Sequence, residues 1–207
     1  MPLQNRVNPW GQIVATPERG TLTGNRGIIH DDRQRIVRRH ALKAWITCVL
    51  EWQDRPPRQV MTGRKWTELF FLDEATALAA GHRPCGYCRR ADYERFVTAW
   101  AEGNPELAPR TGRRAPVIDE VLHEERRDRR GGKVTYTADA SALPVGVMYA
   151  ADGLRPWLAV EDGRAKPWSF AGYGPATPRQ AEQVEVLTPQ STVNAIAAGY
   201  AVSRVDL

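Results

Sequence analysis

The chain has 207 residues, of which 42% are hydrophobic and 26% are charged, and its formal net charge is +5. These values are typical of a globular protein, which excludes wholesale disorder and allows one domain or two small ones. No stretch approaches the roughly 20 apolar residues that cross a bilayer, and the N-terminus lacks the apolar core of a secretory signal. We therefore expect a cytoplasmic protein without a membrane partner.

The N-terminal part of the sequence predicts short strands. Residues 1–24 are rich in proline and glycine, which predicts an irregular arm with one short strand at residues 12–15. Apolar residues without a clean helical period predict a buried strand at residues 45–52, and a second strand is expected at residues 66–72.

Helix signals follow the second of these strands. Asp73 is a good N-cap for an alanine-rich helix at residues 74–80, and Gly81 can supply its left-handed stop. After the last cysteine, apolar residues recur at i, i+3, i+4 and i+7, which predicts an amphipathic helix. These residues are Tyr93, Phe96, Val97 and Trp100. The sequence at 103–105 is expected to end this helix.

The C-terminal half combines one helix with several short strands. A helix is expected at residues 117–130, since Gly131 and Gly132 then end it. Short apolar runs separated by turn signals predict an antiparallel meander and one further strand. The runs lie at residues 145–150, 156–160, 165–169 and 184–187. A last helix should begin near Thr188 and Pro189 and close at Gly199.

The three cysteines favour metal chemistry over disulfides. Cys85-Gly-Tyr-Cys88 is a CxxC pair, whose spacing lets both sulfurs face one tetrahedral ion. An odd number of cysteines fits a secreted disulfide framework poorly. A redox pair is the alternative reading, but such a pair normally opens a helix directly after an apolar strand, and residues 81–84 precede this one instead.

Residues 70–89 read FFLDEATALAAGHRPCGYCR, and this segment resembles the second half of the Ada-type metal-binding domain. That family shows an aromatic strand, an acidic or serine cap, an alanine-rich helix, Gly-aromatic-Arg-Pro-Cys and a second cysteine followed by a basic residue. Its first half typically reads Gly-Asn, a few residues, His and a cysteine, and residues 24–30 match the beginning of this pattern. The resemblance covers roughly residues 24–90, and the remainder resembles no family.

This resemblance implies one structural Zn²⁺ ion with four ligands, namely His30, Cys48, Cys85 and Cys88. Mixed imidazole and thiolate ligands suit zinc, and structural sites close with four of them. Seventeen residues separate His30 from Cys48, where the family has only a few. His40 is therefore the competing nitrogen ligand. His82 is a weaker one, because it occupies the position of the family's packing aromatic.

In the Ada protein this domain moves a methyl group from a DNA phosphotriester onto a zinc-bound cysteine. We do not expect that activity in this chain. Its acceptor is the first ligand of the domain, and His30 stands at that position here, with an imidazole in place of the needed thiolate. Four protein ligands would also leave no coordination position for an activated water.

The signals together predict an α+β protein. A small zinc-stapled N-terminal module with short strands and helices is expected at residues 1–103. A linker or loop is expected at residues 104–116, which lack an apolar stripe. A helix followed by an antiparallel β-rich region is expected at residues 117–207.

A second candidate chemistry lies on the helix expected at residues 117–130. Asp119, His123 and Arg126 recur at spacings of three or four, which places them on adjoining faces. A carboxylate can orient an imidazole as a general base, and an arginine can stabilise a phosphoryl oxyanion. The alternative is a solvated helix face with ion pairs, since several glutamates crowd the same helix.

Three arginines flank the cysteine pair, namely Arg83, Arg89 and Arg90. They are the candidate phosphate contacts for a nucleic-acid partner. The positive net charge is compatible with such a partner but does not identify it. The leading hypothesis is a zinc-binding protein that binds nucleic acid, DNA above all, in a repair or regulatory setting. The rivals are a phosphate-substrate hydrolase or nuclease that uses Asp119 and His123, and a zinc-stabilised protein-interaction module.

Overall fold

Two sheets and four α-helices make up the part of the chain that the computed structural model describes, and this confirms the predicted α+β class. The described residues are 1–53, 59–63, 65–109, 114–151, 153–179 and 183–203. None of the helices in these ranges is long and apolar enough to span a membrane.

The first sheet is mixed and has six strands. They are β1 (Gln4–Val7), β2 (Ile13–Ala15), β3 (Leu22–Asn25), β4 (Ile46–Val49), β5 (Leu69–Phe71) and β6 (Arg83–Pro84). Their order across the sheet is β2-β1-β5-β3-β4-β6. The pairs β1 with β5 and β4 with β6 are parallel, and the other neighbours are antiparallel.

The second sheet is antiparallel and has seven strands. They are β7 (Tyr136–Asp139), β8 (Met148–Ala150), β9 (Pro156–Ala159), β10 (Arg164–Ser169), β11 (Gly172–Tyr173), β12 (Thr177–Pro178) and β13 (Gln183–Val186). The predicted meander is confirmed, because β8 pairs with β9 and β9 pairs with β10. The strand predicted at residues 184–187 is β13, which lies between β8 and the edge strand β7.

The helices are α1 (Glu74–Ala79), α2 (Arg90–Gly103), α3 (Arg114–Arg126) and α4 (Gln190–Ala197). The first begins as expected, since the Asp73 carboxylate accepts hydrogen bonds from the Thr76 amide at 2.9 Å and the Thr76 hydroxyl at 2.7 Å. Gly81 follows this helix at φ +85°, as the predicted left-handed stop requires. Every residue of α1 is buried, so this short helix is held by packing on all sides.

Two expectations about element boundaries are wrong. The strand predicted at residues 12–15 is present as β2, but β1 and the start of β3 also lie in the first 24 residues, because pairing with the distant β5 stabilises both of these short strands. Arg6, for example, pairs with Phe70. The helix predicted at 117–130 begins at Arg114 and ends at Arg126, so residues 114–116 belong to α3 and not to a linker. Residues 110–113 of the predicted linker lie outside the described ranges.

One hydrophobic core crosses the predicted division of the chain. Leu78 of α1 and Phe96 of α2 pack in the same cluster as Ile118 of α3, Val184 of β13 and Ile196 of α4. Elements before and after residues 104–116 therefore bury their apolar faces against one another.

Asp73→Ala should lower the free energy of unfolding by about 2 kcal/mol, because it removes a buried N-cap. It also removes the acceptor of a hydrogen bond from the Tyr173 hydroxyl, which lies 2.8 Å from Oδ2. Urea denaturation followed by circular dichroism measures this loss. Asp139→Ala is the matched control, since Asp139 accepts from Ser141 in the same way at an exposed site. An equal loss of unfolding free energy in both variants would contradict the role of Asp73 as a buried N-cap.

Candidate metal centre

Three cysteines from two distant parts of the chain meet at one edge of the first sheet. Cys48 lies in β4, Cys85 directly follows β6, and Cys88 lies just before α2. Their sulfur atoms all lie within 4.8 Å of one another, so they are close enough to hold a metal ion.

Strand pairing explains why Cys48 and Cys85 meet. The parallel pair of β4 with β6 aligns Ile46 with Arg83 and Thr47 with Pro84. The Cys85 amide continues this register by donating a 2.8 Å hydrogen bond to the Thr47 carbonyl. Cys48 and Cys85 therefore follow the aligned pairs on neighbouring strands.

The turn after β6 brings in the third sulfur. The Tyr87 amide donates to Cys85 Sγ at 3.4 Å, and the Arg89 amide donates to the Cys85 carbonyl at 3.1 Å. Cys88 lies between these two donors, and its sulfur accepts a hydrogen bond from the Val49 backbone. The turn is thus fixed both to itself and to β4.

The pKa values of the three thiols are shifted in different directions. The hydrogen bond from Cys48, with help from backbone donors, lowers the pKa of Cys85 to about 5. Donating that bond raises the pKa of Cys48 well above its ordinary value, and burial adds to the rise. Burial raises the pKa of Cys88. One thiolate is therefore favoured, and a bound cation would favour ionisation of the other two.

The predicted fourth ligand, His30, is not a member of this group of residues. Its Nδ1 lies 2.6 Å from the Thr67 hydroxyl. His30 thus lies outside the group of side chains whose ligand atoms are within 4.8 Å of one another. Ligation by His30 stays a prediction, and this arrangement does not support it.

The two alternative histidines lie elsewhere as well. His40 stacks near Trp45 and His123, with ring centroids 5.8 Å and 5.2 Å away. His82 is fully buried between Trp45 and Phe71, and its Nε2 accepts from Arg26 at 3.3 Å. Burial lowers the pKa of His82 well below its ordinary value, with further lowering from Arg26.

Two of the three arginines predicted to contact nucleic acid are buried in ion pairs. Arg83 donates to both carboxylate oxygens of Asp119, at 2.8 and 2.7 Å. Arg89 pairs with Glu74 at 2.7 Å and with Asp92 at 2.8 Å. The arginine side chains are only 8% and 4% exposed. A phosphate contact by either one would require breaking a buried ion pair.

Arg90 is the surface member of this trio. Its side chain is 68% exposed and pairs with Glu94, one turn further along α2. Of the three predicted contacts, it alone is accessible to a phosphate group.

The candidate general base does not form the expected pair. Asp119 is occupied by Arg83, and no hydrogen bond joins it to His123 in the described structure. His123 Nδ1 instead faces Arg126 Nη2 at 3.2 Å, where the guanidinium can only donate. Burial, with a contribution from Arg126, lowers the pKa of His123. Arg126 is itself buried and donates to the Gly81 carbonyl at 3.1 Å.

A pocket beside the first sheet is lined by a second group of residues. Sequence patterns did not predict that these residues would lie together. The basic members of the group include Arg26 and Arg39 from the N-terminal part of the chain and Arg127 and Lys133 from the segment after α3. The arginine-rich segment around residue 127 is visible in the sequence, but nothing local to Arg26 or Arg39 connects them with it. Only the fold brings these cations together.

No protein-family model, curated protein or solved structure matches this chain.

Arg83→Gln should lower the free energy of unfolding by about 3 kcal/mol, because it leaves the buried Asp119 carboxylate without its partner. Arg90→Gln should change it by less than about 0.5 kcal/mol, since the Arg90–Glu94 pair is exposed. Urea denaturation of the two variants and the unaltered protein measures both values. Equal, small effects in the two variants would contradict the buried ion pair.

Proposed function

We propose that this is a zinc-binding protein in which one zinc ion, held by Cys48, Cys85 and Cys88, fastens β4 to the turn between β6 and α2. The observation that carries the proposal is the convergence of three sulfurs within 4.8 Å from segments 37 residues apart in sequence, at Cys48 and Cys85. Cross-linking two such segments through a metal stabilises the folded state, because the unfolded chain lacks the preformed site.

The donor set favours zinc. Thiolates are soft ligands that bind zinc with Zn–S distances of about 2.3 Å. A tetrahedral ion at that distance holds its sulfurs about 3.8 Å apart. The three sulfurs lie within 4.8 Å of one another, which is compatible with this spacing. The backbone donors to Cys85 and Cys88 would stabilise their sulfurs in the thiolate form.

The fourth zinc ligand is proposed to be water or another small molecule, not a protein side chain of the described structure. No histidine or carboxylate joins the three sulfurs in the described ranges, and Cys48 is partly exposed. We assign the ion a structural role, because it would join β4 to the turn between β6 and α2, two segments that are distant in sequence.

Nucleic-acid binding and the phosphate hydrolase remain hypotheses with less support than the metal site. Arg83 is the candidate contact for nucleic acid and Asp119 the candidate catalytic carboxylate, and the two form an ion pair with each other. Arg89 is likewise committed to Glu74. We therefore base no binding surface and no catalytic step on these residues.

Elemental analysis of the purified protein should find about one zinc per chain. Cys85→Ser and Cys88→Ser should abolish metal binding, because each removes a thiolate ligand. His30→Ala and His40→Ala should retain the zinc, and they are the matched controls. Circular dichroism should show loss of stability when a chelator removes the ion.

Two results would overturn the proposal. One is a folded, equally stable protein that binds no zinc when the metal is supplied under reducing conditions. The other is loss of zinc in His30→Ala with the fold intact, which would restore the four-ligand site predicted from the sequence.

A further inference from the structure

A pocket of about 480 Å³ opens between the N-terminal arm and the turn that follows α3. Among the described residues that line it, five are basic and none is acidic. The basic residues are Arg26, Arg38, Arg39, Arg127 and Lys133. The volume falls in the range of small-molecule sites, about 300 to 1,000 Å³.

Arg26 is the most unusual of these cations, because it is fully buried and has no carboxylate partner in the described structure. Its Nη1 donates to the Gly11 carbonyl at 3.0 Å, and its Nε donates to the neutral ring of His82. Its Nη2 is buried without a hydrogen-bond partner, close to Gly11, which also lines the pocket. A buried donor without a partner is costly.

The neighbouring cations donate mainly to backbone carbonyls and not to carboxylates in the described structure. Arg127 donates to the carbonyls of Gly11 and Gly131, Arg39 donates to the Gly131 carbonyl, and Lys133 donates to the Ala79 carbonyl. None of them forms an ion pair within the described residues. The charge of Asp128 acts on Arg127 without a direct ion pair, and the Asp128 carboxylate accepts from the Gly132 amide.

The electrostatics report the same imbalance. Burial and the nearby charges of Arg26, Arg127 and Arg126 lower the pKa of Lys133 to about 7. Burial and the charges of Arg127 and Arg126 lower the pKa of Arg26 well below its ordinary value. Buried like charges destabilise a fold unless an opposite charge accompanies them. An anion in the pocket would supply that charge.

We propose that this pocket binds the phosphate group of a small organic phosphate. Guanidinium groups match phosphate oxygens with paired hydrogen bonds, and a phosphate dianion can satisfy several cations at once. The remaining wall is largely apolar, with Trp10, Ile13 and Ile36 among its residues, and it suits the organic part of the ligand. Because Arg26 lies at a fully buried position, a compact ligand reaches it more readily than a polymer backbone does.

Isothermal titration calorimetry of the zinc-loaded protein at low salt tests this inference with four probes. Inorganic phosphate, pyrophosphate and adenosine 5′-monophosphate should bind saturably, and adenosine should not bind, because it lacks the charge. If the apolar wall takes the organic part, the nucleotide should bind more tightly than phosphate alone. A single-stranded oligonucleotide serves as the polymeric competitor.

Arg127→Gln and Lys133→Gln should each weaken phosphate binding about tenfold or more, since each removes a charge-assisted hydrogen bond. Arg129→Gln is the matched control, because Arg129 is exposed on the same turn and does not line the pocket. Its affinity should equal that of the unaltered protein. Zinc content and circular dichroism should be unchanged in all three variants, which separates this test from that of the metal site.

Three outcomes would overturn the inference. The first is the absence of saturable binding of all three phosphate probes to the unaltered protein at millimolar concentration. The second is an equal loss of affinity in Arg129→Gln, which would show diffuse charge instead of a site. The third is tight binding of the oligonucleotide without binding of the small phosphates, which would assign the surface to nucleic acid.

Discussion

The parallel pairing of β4 with β6 is the constraint on which the metal centre depends. It places Cys48 beside Cys85, and the turn that follows adds Cys88 within the same 4.8 Å group. The strand β6 has only two residues, so little local hydrogen bonding holds it. The buried pair of Arg83 with Asp119 ties β6 to α3 from the other side. A metal bridge would add a second fixed point to a short edge strand.

Buried arginines connect the first sheet with α3. The ring of Trp45 lies 3.9 Å from the guanidinium carbon of Arg26 and 4.0 Å from that of Arg126. Cation–π contacts of this kind are stronger when water is excluded, and Trp45 is almost fully buried. Arg26 also contributes to the basic pocket, so the packing that unites the two parts of the chain also positions its least compensated charge.

The sequence predicted the features that are encoded locally. Asp73, the alanine-rich α1 and Gly81 carry their own start and stop signals, and the CxxC spacing brings Cys85 and Cys88 together without help from the rest of the fold. Sequence-based prediction was less accurate for elements whose position depends on long-range contacts. Strand β3 contains Gly24, at which an added Cβ would lie 2.2 Å from the Ile46 carbonyl oxygen, so pairing with β4 requires this glycine. The local sequence pattern did not predict the burial of Arg83 and Arg89, because their acidic partners on α3 and α1 become neighbours only after folding.

X-ray absorption spectroscopy at the zinc edge tests the central claim most directly, because it counts the atoms around the ion. The account predicts three sulfur neighbours at about 2.3 Å and one lighter neighbour. It also predicts that His30→Ala leaves the spectrum unchanged. A first shell with fewer than three sulfurs, or a histidine signature that disappears in His30→Ala, would contradict it.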